Sequence, residues 1–131
     1  FNGNVLLNVG PRGDAQMPPA QAARLEAVGE WLETRGEAIK GTRPVELTQK
    51  NVDDVSIGAT RNAEALYIHM FGKPAAGVLE VDLPPDLESV TSLEQIGGQV
   101  GDWSIEQNTL RLTVNEWADE AVQIFKLGLA K

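Results

Sequence analysis

The stretch GNVLLNVGP, residues 3–11, limits what this chain can fold into more than any other part of it. Val5, Leu6, Leu7 and Val9 crowd together, and Asn8 is the one polar residue among them. A run this apolar reads as a strand covered on both faces, the setting of a parallel sheet. Such a strand needs a neighbour on each side, yet only Phe1 and Asn2 precede the run. Either the rest of its sheet lies elsewhere in the chain or it lies outside these residues.

The rest of the sequence offers no parallel partner. The strand reading over Asn4–Val9 ends at Gly10-Pro11, where proline fixes φ and removes a donor. After a polar loop, Pro18 and Pro19 suit a helix start. From Ala20 to Arg35, Leu25, Val28 and Leu32 form an apolar stripe, with Glu26, Glu30 and Glu33 opposite and Gly36 as the expected C-cap. Residues 1–43 therefore read as one β-α unit of the kind repeated in parallel α/β folds.

From Val45 the period changes to two. Leu79, Val81 and Leu83 alternate with Glu80 and Asp82, and Leu110, Leu112 and Val114 with Arg111 and Thr113. Ala65–Phe71 is apolar on both faces and reads as a central strand. Further strands are expected over Val55–Thr60, Ser89–Ile96, Trp103–Glu106 and Val122–Leu127, with Gly, Pro and Asn turn signals between them. Short strands at this spacing, with no helical segments between, predict an antiparallel sandwich or barrel over 44–131. One β-α unit cannot build a parallel sheet. The economical expectation is that 1–43 closes an α/β domain whose earlier strands are not in this chain, and a first residue of Phe agrees with that.

Charge and composition exclude several classes of function. The 131 residues carry 11 Lys+Arg against 19 Asp+Glu, a net charge of -8. That argues against nucleic acid and anionic membrane surfaces, both of which demand a basic face. No apolar run approaches the ~20 residues of a spanning helix. There is no cysteine, so thiolate chemistry and disulfides are absent. Neither G-x-G-x-x-G nor G-x-S-x-G occurs, which leaves nucleotide and serine-hydrolase readings unsupported.

The sequences NGNVLLNVGP (2–11) and GEWLETRGEAIKGTRP (29–44) resemble the end of the catalytic domain of family 29 glycoside hydrolases, the α-L-fucosidases. Members typically carry an NGN-LLLN-GP strand, a helix ending in G-WL---GEAIYGTRP, and then a β domain. Lys40 stands where the family usually has an aromatic residue, and Val45 where it often has Trp. The loop PRGDAQMP departs from the usual P-x-x-D-G-x-I-P, although Asp14 and Pro18 fit. ALYIHMFGKP, LEVDLP and AVQIFKLGL look like the family's C-terminal β-sandwich.

The resemblance implies a mainly β chain: an antiparallel sandwich (44–131) preceded by one β-α unit (1–43) left over from a (β/α)8-like barrel. It implies a parent enzyme that removes terminal α-L-fucose from glycoconjugates with retention, using an Asp nucleophile and a carboxylic acid/base about 5–5.5 Å apart. It implies no metal and no cofactor. None of the family's catalytic motifs matches a position here, so no catalytic residue is assigned and the chain alone is expected to be inactive. Such parents are commonly secreted, periplasmic or lysosomal.

Each remaining candidate has a plainer structural reading beside it. Asn8 sits near the carboxyl end of the expected barrel strand, where barrel enzymes place their chemistry, and is the substrate-binding candidate; otherwise its amide serves the loop. His69, the sole histidine, lies in an apolar strand with no second ligand for a metal. The carboxylate groups Asp53-Asp54, Glu80/Asp82 and Glu116/Asp119/Glu120 read as solvated faces. Trp31, Trp103 and Trp117 read as packing residues; an exposed coplanar Trp103/Trp117 pair would instead favour a carbohydrate- or protein-binding module. The unpaired run 4–9 is expected to self-associate or to tuck against the chain's own sheet.

Overall fold

A computed structural model describes residues 3–48, 51–52, 54–75, 77–87 and 89–130. Residues 3–12 make no strand. A strand exists through its ladder, and among the described residues no other segment pairs with this one. Nor does it tuck under the sheet: Val5 is 92% and Leu6 93% exposed. The expected strand over 4–9 is thus absent, as the want of neighbours dictates. The Gly10 N–H donates to Gln21 Oε1 at 2.9 Å, which fastens the segment to the helix after it.

That helix, α1 (Pro19–Arg35), begins with Pro18 as N-cap and Pro19 inside the first turn. It buries no residue completely, and Val28 of the predicted stripe is exposed. Gly36 does not take the left-handed conformation of a helix-ending glycine; at φ -62° it leads into a short 3-10 turn, Gly36–Ala38. Gly41, at φ 72°, then turns the chain toward the first strand.

The remaining strands are β1 (Arg43–Val45), β2 (Asn51–Val52), β3 (Val55–Arg61), β4 (Ala65–Met70), β5 (Val78–Asp82), β6 (Val90–Gln95), β7 (Gln99–Glu106), β8 (Thr109–Glu116) and β9 (Gln123–Leu129). They form two sheets, one ordered β1-β3-β4-β9-β6 with β2 also on β3, the other β5-β8-β7. Every pairing is antiparallel. The fold is the predicted β-sandwich with one helix before it.

Alternation places the core. Leu66, Ile68 and Met70 of β4 and Phe125 and Leu127 of β9 face Leu79, Val81, Leu110 and Leu112 of the smaller sheet. The opposite face of β4 is also covered, because Ala65 and Tyr67 join Ile124, Ala38 and the half-buried Trp31 in a second cluster. So β4 is buried along its whole length, as its apolar sequence requires. The β7–β8 hairpin turns on Gln107 and Asn108 at φ 49° and 66°, the signs a two-residue type I′ turn needs.

Candidate functional site

Functional groups converge where the segment after α1 lies on the outer face of the larger sheet. Odd-numbered side chains of β4 point that way, and the register sets Tyr67 opposite Lys126 of β9. Glu37, carried in by the 3-10 turn, accepts hydrogen bonds from Lys126 Nζ at 2.7 Å and Tyr67 Oη at 3.1 Å. Glu94 of β6 flanks the same ammonium at 3.6 Å. The Lys126 hydrogen bond draws the Glu37 carboxyl below its usual range against the opposing effect of burial. Lys126 is correspondingly raised, first by that hydrogen bond, and Tyr67 is raised by burial and by the carboxylate beside it. A general acid needs its carboxyl pushed up instead. This cluster is a clamp.

One residue pair along, Thr60 Oγ1 donates to the Ala38 carbonyl at 2.5 Å and lies 2.9 Å from His69 Nε2. With its proton committed to Ala38, the hydroxyl accepts from His69, which fixes the Nε2–H tautomer. Burial lowers the His69 pKa, and the Ala38 carbonyl opposes that only in part. His69 is the packed, hydrogen-bonded core histidine expected from its strand. Beyond it, Arg35 bridges to Glu120 at 3.1 Å and ties the end of α1 to the β8–β9 loop.

Beneath the Gly97-Gly98 turn lies a pair of buried amides. Gln95 Nε2 donates to Gln123 Oε1 at 2.7 Å, and Gln123 Nε2 donates to the carbonyls of Ala118 and Glu120. These links and the Glu37 clamp were not singled out in the sequence. The period-two pattern that placed β4 and β9 as strands gives no cross-strand register, so it could not pair Tyr67 with Lys126.

The other sequence candidates are scattered. Asn8 is exposed and lines a cleft of about 70 Å³ between the N-terminal segment and α1, beside Gln21, Arg24 and Leu25. Glu80 and Asp82 face solvent, the former 3.6 Å from Arg111 and the latter accepting from Thr109 at 3.0 Å. Asp119 lies 4.0 Å from Lys73 in full solvent, and Asp53 falls outside the described residues. Among the described residues no three His, Cys, Asp or Glu side chains gather as metal ligands. No described helix is long and apolar enough to cross a membrane.

The tryptophans form no exposed coplanar pair. Trp117 is half-buried and meets Phe125 edge-on, with ring centroids 6.3 Å apart at 77°. Trp103 is half-buried on β7 and lines a slot of about 410 Å³ between the edge strands of the two sheets.

Comparison with known proteins covers both parts of the chain. The sequence profile described as Alpha-L-fucosidase matches residues 1–37. The tissue alpha-L-fucosidase of Homo sapiens is 37% identical over 108 residues, which is 81% of this chain and 22% of that protein. Its counterpart in Bos taurus is 35% identical over 116 residues, 87% of this chain and 24% of that protein. The crystal structure of Thermotoga maritima alpha-fucosidase in complex with fucose superposes with a TM-score of 0.73 at 29% identity, over 95% of this chain and 30% of that one. The chain thus spans less than a third of the length of these relatives. With the profile, the sequence identity and the sandwich in agreement, the chain belongs to the α-L-fucosidase family.

Proposed function

We propose that this chain is part of an exo-acting, retaining α-L-fucosidase that releases terminal fucose from glycoconjugates. In this reading residues 1–43 are the closing β-α unit of its catalytic barrel and 44–131 its C-terminal sandwich. The observation that carries it is the 37% identity to the human tissue enzyme across 81% of the chain. The exposed apolar segment 4–9 supports it, because a barrel strand is covered only when its neighbours are present. The nucleophile and the acid/base then belong to other segments of the parent polypeptide, and the clamp at Glu37 holds the sandwich to the barrel's last helix. Asn8 lies at the rim of the substrate pocket.

The test is release of 4-nitrophenol from 4-nitrophenyl α-L-fucoside by the parent polypeptide, isolated from the source cells with peptides mapped upstream of Phe1. Turnover is expected from the parent, with α-fucose as the first anomer seen by NMR, and none from the 131-residue chain. A parent without this activity, or a native chain that begins at Phe1, overturns the reading.

A further inference from the structure

We infer that the slot at the open edge of the sandwich is a carbohydrate subsite, taking one neutral pyranose unit of a glycan against the indole of Trp103. The slot opens where β6, the edge of the larger sheet, parts from β7, the edge of the smaller. Trp103 and Ile105 enter it from the same face of β7, Val90 from β6 and Leu87 from the connection before β6. Its volume of about 410 Å³ is within the range of small-molecule sites. Two polar side chains stand at its rim. Asn108 is held by its Nδ2 donating to the Pro84 carbonyl at 3.4 Å, which leaves Oδ1 to accept from a hydroxyl. Ser89 supplies a hydroxyl on the β6 side.

The chemistry of the lining selects the ligand. None of the described residues lining the slot is charged, and a net charge of -8 disfavours anions such as phosphates or acidic sugars. A lipid tail would find two hydrogen-bonding groups at the entrance with nothing to match them. An added β-strand is disfavoured by the bordering strands themselves. The register shifts between Val90 and Ser92 on β6 and between Val100 and Trp103 on β7, and such irregularity protects edges from pairing. A pyranose ring offers what remains: an apolar C–H face for the aromatic plane and hydroxyls for the amide and the serine. This inference goes beyond the fucosidase reading and does not need the catalytic part to be present.

The test is a ¹H–¹⁵N titration of the 131-residue chain with methyl α-L-fucopyranoside and, separately, methyl β-D-galactopyranoside. Millimolar binding by at least one is expected to shift the Trp103 indole N–H and the Asn108 amide while the Trp31 and Trp117 indoles stay in place. Trp103→Leu keeps the slot filled but removes the platform, and Asn108→Gly suits the positive φ but removes the amide. Each is expected to weaken binding about tenfold, with the spectra themselves reporting that the variants fold. A Trp103 indole unmoved by both sugars at about 100 mM overturns the inference. So does undiminished binding in both variants, or a response to an extended peptide alone.

Discussion

Gly98→Ala probes the buried amide pair through a single added methyl. A Cβ at position 98 would overlap Gln95 Oε1 and come within 2.9 Å of the Glu116 carbonyl. Neither neighbour yields easily. The Glu116 oxygen is backbone, and Gln95 is held by its bond to Gln123, the two residues being 5% and 0% exposed. If Gln95 swings aside, Gln123 Oε1 loses its donor in a site closed to water, which costs about 1–3 kcal/mol. Crowding of the backbone adds about 1–3 kcal/mol. The expected loss is therefore about 2–6 kcal/mol, a fall of roughly 10–30 °C in Tm for a sandwich of this size. Thermal unfolding followed by tryptophan fluorescence reads it. A double-mutant cycle isolates the cause, because in a Gln95→Ala background the overlapping atom is gone and the same substitution should cost at least about 1 kcal/mol less. A Tm within about 2 °C of the parent chain, or an equal cost in both backgrounds, would refute the reasoning.

The core histidine, the clamp and the exposed segment yield three more expectations. His69 is held neutral when folded, with its pKa below the ordinary 6.5, so the unfolded chain binds more protons as pH drops past that value. Stability should fall with pH from about 6.5 down to the folded pKa, and denaturant titrations of His69→Gln should show a shallower fall over that window. Lys126→Met breaks the charged bond to the half-exposed Glu37 and, after solvent screening, should loosen the 3-10 turn by about 0.5–1 kcal/mol. Faster hydrogen exchange at the Ile39 and Lys40 amides, both bonded to the Gly36 carbonyl, is the readout, and unchanged exchange would dismiss the clamp. Leu6→Glu should reduce concentration-dependent self-association of the isolated chain in sedimentation velocity, whereas a chain that is monomeric to begin with removes the premise.

How much could be read from the sequence followed from what local pattern encodes. Period-two alternation located β5 to within one residue at each end and the middle of β8, and the doubly apolar ALYIHMF marked β4, one residue too long, as the strand buried on both faces. The short strands β1 and β2 escaped, since three and two residues display no period. At 4–9 the composition of a strand was present but its partners were not, and hydrogen-bond geometry prevailed over propensity. The candidate site was less legible still. Glu37, Tyr67 and Lys126 are spread across 90 positions and meet only through the turn after α1 and the β4–β9 register. Asn8 was picked out by its place along a strand, and its surroundings here are the cleft beside α1.

The position of β9 governs when this sandwich forms during synthesis. β9, the last described strand, lies between β4 and β6, and Ala65 of β4 precedes its partner Gly128 by more than sixty residues. Hairpins such as β3–β4 and β7–β8 close locally and early, but the larger sheet stays open until residue 129 has cleared the ribosome. Until then Leu66, Ile68 and Met70 lack their cover from Phe125 and Leu127. Until β9 is in place the partly made sheet therefore exposes apolar surface that invites aggregation.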